Sequence, residues 1–71
     1  MSFVQSVLFN KKYFDINQCY KWLINHKFKI TAPDITKKYY RFRQKRPNYK
    51  KYYYRIKKIN PMISFIIGYL R

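Results

Sequence analysis

Glutamate is absent, and Asp15 and Asp34 are the only acidic side chains in 71 residues. Cysteine, histidine and glycine each occur once, as Cys19, His26 and Gly68. These scarcities exclude a good deal. Two acids, one His and one Cys do not assemble a nucleophilic triad or a carboxylate pair, so no enzymatic activity is expected. One Cys and one His are not a metal-ligand set, and no cofactor motif is present. A lone Cys19 cannot form a disulfide within the chain, which fits a reducing compartment or an intracellular assembly site. Long apolar runs are also missing. The longest covers residues 59–70 and is interrupted by Asn60, Pro61 and Gly68, too short to span a bilayer. Residues 1–9 have neither a charged leading region nor a small-residue cleavage site, so no secretory signal is read there.

What the chain has instead is positive charge and aromatic rings. Seventeen Lys and Arg give a net charge of +15, and Phe, Trp and Tyr make up 23% of the residues. Self-repulsion on this scale opposes compaction unless a polyanion offsets it. Nucleic acid is the first candidate and an anionic membrane surface the second. The aromatic content argues for a folded chain, because disordered basic tails are poor in rings. Lys, Asn, Ile, Tyr and Phe, which have AT-rich codons, account for 41 residues. Base composition therefore explains part of the lysine count. It does not explain the missing Glu, whose codons are no richer in GC than those of Asp. The length allows a single small basic domain over residues 1–71 with a small core, for which a partner is one source of added stability.

Residues 2–10 (SFVQSVLFN) read as a strand. Asp15 is a good N-cap, and Gln18 completes a capping-box pattern. Ile16, Cys19, Tyr20 and Leu23 then fall on one face of a helix running from residue 16 to about 26. Cys19 and Trp22 are assigned to the core, and His26 to the carbonyls at the helix end. Pro33 forbids helix continuation. In KYYRFRQK, Tyr40 and Phe42 alternate with Arg41 and Arg43, the pattern of a half-buried strand. Residues 46–48 (RPN) form a turn, and residues 49–58 read as a further strand with Tyr52, Tyr54 and Ile56 on one face. MISFIIGYL is apolar on both faces and therefore central in a sheet. The expectation is an α+β fold, one helix packed on a small, mainly antiparallel sheet in the order strand-helix-strand-strand-strand.

The residues VLF (7–9), WLINHKF (22–28), RFRQKRP (41–47) and MISFIIG (62–68) together resemble a small module recurrent in proteins of tailed phages and large DNA viruses. The resemblance runs from about Val4 to Gly68, and RFRQ with the following Pro47 is its most specific part. It implies viral origin and a place in the virion or at an intracellular assembly site rather than secretion. It implies no established activity. Lys27 stands where the module often has Gly, so it either adopts the left-handed conformation at a cost or the helix ends differently. Met62-Ile63 stands where the module has Gly-Ile.

Residues 36–58 hold eleven Lys or Arg and six Tyr among 23 residues, with no acid. Tyrosine interleaved with cations is the composition of a single-strand nucleic-acid platform, with cations for phosphate and rings for bases. The candidate contacts are Arg41, Arg43 and Lys45, a row along one strand, and Arg55 with Lys57, a similar row on the next. If the two strands pair, the rows form one basic patch opposite Tyr40, Phe42, Tyr54 and Ile56. Lys50, Lys51 and Lys58 complete the set, and Tyr39, Tyr49 and Tyr53 are the candidate outer rings. Arg41 and Arg43 belong to the viral pattern too, so fold, partner and nucleic acid are all open as their role. No helix rich in Arg, Asn and Gln is present to read bases. The expected function is a non-enzymatic, virion- or assembly-associated protein that binds nucleic acid without sequence specificity. The alternative is a minor structural or cement protein, or an accessory subunit bridging larger viral components. Phe3, Val4, Phe65, Ile66, Tyr69 and Leu70 would then carry the protein contact.

Overall fold

The computed structural model describes residues 1–71. Six elements follow in chain order: β1 (Ser2–Asn10), α1 (Ile16–Asn25), β2 (Asp34–Ile35), β3 (Tyr39–Arg43), β4 (Tyr52–Lys58) and β5 (Ile63–Leu70). The five strands make one antiparallel sheet in the order β2-β3-β1-β5-β4, with α1 on one face. The fold is therefore α+β as expected, with β2 added as a two-residue strand on one edge.

Local chemistry sets the helix ends. The Asp15 carboxylate accepts from the Gln18 N–H at 2.8 Å, and the Gln18 side-chain oxygen accepts from the Asp15 N–H at 2.9 Å. This satisfies two donors that the first turn leaves without partners. At the other end Lys27 takes the left-handed conformation, with φ 61. Its N–H donates to the Ile24 carbonyl, and the Phe28 N–H donates to the Leu23 carbonyl. That is the two-bond helix stop usually built on glycine. Lys27 makes it at a cost of about 1 kcal/mol, and the contacts of Phe28 hold it in place. His26 Nδ1 lies 2.8 Å from the Trp22 carbonyl, as its position at the helix end suggested.

Strand identity explains strand order. β1 and β5 are apolar enough on both faces to occupy the interior, whereas the Lys- and Arg-rich β4 lies at an edge, where charge discourages further pairing. Cross-strand partners define the two faces. Val7 faces Phe42 and Phe65, and Phe9 faces Tyr40 and Ile63. These residues point at the helix, where Val7, Phe9, Phe42 and Ile63 bury Cys19 and Leu23. Trp22 closes this layer. His26 stacks on it at 3.9 Å, Phe28 lies parallel at 5.7 Å, and Phe9 and Phe65 meet it edge-on. With these neighbours the indole is a core ring rather than a base-stacking surface.

Residues 48–51 turn before β4, so the strand starts at Tyr52 instead of Tyr49. A larger correction concerns β3 and β4. They do not pair, because β1 and β5 lie between them. Register then reverses the expected faces of β4. Arg55 pairs with Ile67 and Lys57 with Phe65, on the helix side. Tyr54 and Ile56 pair with Gly68 and Ile66, on the opposite side. Tyr54 and Ile56 thus do not share a face with Tyr40 and Phe42.

Candidate nucleic-acid interface

No element of the chain covers the sheet face opposite α1. On β3 this face carries Tyr39, Arg41 and Arg43, the partners of Asn10, Leu8 and Ser6. On β4 it carries Tyr52, Tyr54, Ile56 and Lys58. Between them lie Leu8 and Ser6 of β1 and Ser64, Ile66 and Gly68 of β5. One row across the sheet reads Arg41, Leu8, Ser64, Lys58, and the next Arg43, Ser6, Ile66, Ile56. Cations thus stand at both margins of a floor of Leu8, Ile66 and two serines, about three strand spacings wide, roughly 14 Å.

One end of the face is aromatic. Phe3 meets Tyr52 edge-on at 4.8 Å and Tyr54 at 6.3 Å, and Tyr49 meets Tyr54 at 5.4 Å. Gly68 makes room for this cluster. A Cβ there would lie 2.5 Å from Phe3 Cζ and 2.9 Å from Tyr54 Cε1. The glycine of the IIG motif thus lets two rings approach the strand closely. The Lys45 ammonium sits 4.7 Å above the Phe3 ring, and Lys51 lies 5.6 Å from the Tyr52 ring. These are cation–π distances.

The RFRQ motif has a structural part. Phe42 is fully buried. The Gln44 amide clamps Lys29 from both sides, accepting from its N–H at 2.8 Å and donating to its carbonyl at 3.0 Å. That ties the segment after α1 to the end of β3. Gln5, at the β-bulge in β1, holds the same corner: its side chain donates to the Lys45 carbonyl at 2.7 Å and accepts from Ser6. Arg43 Nε lies 3.1 Å from Asp34, and Arg41 Nε lies 3.4 Å from Ser6 Oγ. The Arg43–Asp34 pair is half-exposed on both sides, which limits it to about 1 kcal/mol or less.

The eight candidate cations therefore divide. Arg41, Arg43, Lys45 and Lys58 belong to the open face. Arg55 and Lys57 lie on the helix side of β4, beyond the helix, where Tyr53 stacks on Tyr69 at 5.3 Å and Arg55 lies 5.7 Å from the Tyr53 ring. Lys50 and Lys51 occupy the turn before β4. The single patch expected from paired rows does not form, because β1 and β5 lie between β3 and β4 and the register turns Arg55 and Lys57 to the helix side. Of the candidate rings, Tyr39 is half-buried on the open face, Tyr49 is 66% exposed and Tyr53 stands on the helix side. Phe3, Tyr52 and Tyr54 are open-face rings that the sequence pattern assigned elsewhere. The signal for them was the apolar character of β5 on both faces, which forces β3 and β4 apart.

Charge compensation within the chain is almost nil. Asp15 is used in the helix cap and Asp34 meets Arg43, the one cation of 17 with a carboxylate partner. No group of three or more His, Cys, Asp and Glu lies together, and no helix is long and apolar enough to cross a membrane. No family model, curated protein or solved structure matches this chain.

Proposed function

We propose that this chain is a non-enzymatic nucleic-acid-binding protein that holds a single strand, without sequence specificity, on the open face of its sheet. The observation that carries this reading is the sharing of that face by Arg41, Arg43, Lys45 and Lys58 with the rings of Phe3, Tyr52 and Tyr54, with Asp34 the one acid beside them. Cations neutralise phosphates and rings offer stacking surface that every base can use. A flat sheet face suits unpaired bases, and nothing on it projects far enough to read a major groove. The resemblance to the viral module makes the virion or its assembly site the setting.

The test is fluorescence anisotropy with single- and double-stranded oligonucleotides of mixed sequence, over a salt series. With four to six phosphates neutralised, the log–log salt slope for a single strand should be about −3 to −4. R41Q/R43Q should weaken binding about tenfold or more, and R55Q/K57Q, the same charge change on the other side, by less than about threefold. Equal losses from the two pairs would mean diffuse attraction to a cationic chain and would overturn the open-face assignment.

A second reading has its own support. Ile56 is 70% exposed and Leu70 50% exposed on the same open face. A larger viral protein could cover that floor and meet the cations with acidic side chains, making the chain a cement or accessory component. A chain that ignores oligonucleotides at moderate salt, yet loses incorporation into particles on Ile56→Glu, would favour this reading.

A further inference from the structure

The other concentration of charge lies at one end of the sheet, away from the aromatic cluster. Asn10, Lys11 and Lys12 leave β1 there, and Lys37 and Lys38 enter β3. The Lys11 N–H donates to the Lys38 carbonyl at 2.9 Å, which fixes the two lysine pairs side by side. Together these five residues line a depression of about 390 Å³ with no apolar residue in its wall. The Asn10 side-chain oxygen accepts from the Lys12 N–H at 2.9 Å, which leaves its NH2 group as a donor. Lys11 lies 5.4 Å from the Tyr40 ring and Lys12 5.8 Å from the Tyr13 ring, so two of the four chains are steadied by aromatics. No carboxylate pairs with any of the four.

We infer that this depression is a binding site for a condensed phosphate, a ligand with at least two linked phosphoryl groups. Charge sets the minimum. One phosphate carries about −1.5 to −2 near neutral pH, which leaves roughly two lysines uncompensated, whereas two or three linked phosphates match all four. The donor type sets the class. Lysines are compact point charges that suit phosphate oxygens, and the wall has no arginine fork for planar, two-point recognition of carboxylate. The wall has no hydrophobic or aromatic residue to seat a base or an aliphatic chain, so recognition stops at the phosphates. Such a group can be a free oligophosphate or the 5′-triphosphate end of a nucleic-acid strand.

Calorimetric titration with tripolyphosphate, orthophosphate and sulfate at matched ionic strength, about 0.15 M, tests the site. Tripolyphosphate should saturate at one per chain, and orthophosphate and sulfate should bind about tenfold more weakly or worse. K37Q/K38Q should lose about tenfold in tripolyphosphate affinity, while R55Q/K57Q, with the same charge change on the helix side of β4, stays within about twofold. All four positions are exposed, and near-ultraviolet circular dichroism checks that each variant keeps its fold. Absence of saturation, or equal losses in both variants, overturns the site. A second arm separates the sources. An oligonucleotide with a 5′-triphosphate that binds more tightly than its 5′-hydroxyl twin, with the gain lost in K37Q/K38Q, identifies a strand end. Equal binding of the twins beside tight tripolyphosphate binding identifies a free oligophosphate. Tripolyphosphate has no base to stack, and its loss in K37Q/K38Q places it at these lysines rather than on the open face.

Discussion

The two faces of one sheet obey different rules. Towards α1, Val7, Phe9, Phe42 and Ile63 meet Cys19 and Leu23, and each is 3% exposed or less. Away from it, Leu8, Ser6 and Ser64 are buried without any second layer above them, by their sheet neighbours and by long side chains such as Arg41 that lie across the surface. Ile56 on the same face is 70% exposed. On the helix side, residue identity answers to packing inside the chain. On the open side Arg41 covers Ser6 and the rings of Tyr52 and Tyr54 pack on Phe3, but Ile56 and Lys58 answer to no packing inside the chain, and that is where an outside partner has something to hold.

The sharpest way to break this contrast is to truncate one residue on each face. Leu23→Ala should cost about 2–5 kcal/mol in urea denaturation, because it removes a fully buried side chain from a small core. Ile56→Ala should stay within about 0.5 kcal/mol, as surface changes usually do. If Ile56→Ala costs as much as Leu23→Ala, the open face is covered in solution by another copy of the chain.

Gly68 gives a smaller and more local effect. Gly68→Ala places a methyl group against Phe3 and Tyr54 and should cost about 1–3 kcal/mol, with the Phe3 ring displaced from its place under Lys45. Adding Phe3→Leu should cost less than its separate effect predicts, since the clash it relieves is already present. Strict additivity in the double-mutant cycle would show that the aromatic cluster does not rest on the glycine.

The weakest effect at neutral pH belongs to Cys19. Burial, with the Asp15 charge second, pushes its thiol up from 9.0 to about 12. The folded chain therefore holds the thiol proton more tightly than the unfolded chain. This contribution to stability is complete below about pH 9 and falls away as the pH rises from there towards 12. Over that window the wild type should lose stability more steeply than Cys19→Ala. Parallel curves would mean that water reaches Cys19 and that the helix face is not dry.

Much of the fold was legible in the residues themselves. The cap at Asp15 and Gln18, the stripe of Ile16, Cys19, Tyr20 and Leu23, the central position of β5 and the inward direction of Phe42 all follow from rules acting over a few positions. Local hydrogen bonding and periodicity decide them, and both are written in consecutive residues. The two-residue β2 carried no such signal, since it exists only by pairing with β3.

The candidate site was legible in composition and not in geometry. Sequence alone determined that a strongly cationic, ring-rich surface exists, because 17 cations against two acids leave nothing inside the chain to neutralise them. Only the tertiary structure decided which cations share a surface. In a strand side chains alternate between faces, so one choice of phase for β4 put Tyr54 and Ile56 on the face that carries Arg41 and Arg43 and sent Arg55 and Lys57 to the other side. Strand order acted in the same way. Burying β1 and β5 in the middle separated β3 from β4, and pairing β1 with β3 brought Lys11 and Lys12 to Lys37 and Lys38 across a long stretch of chain. Pairing is a property of the whole sheet, since each strand's neighbour depends on which others bury best, and no window of consecutive residues contains that comparison.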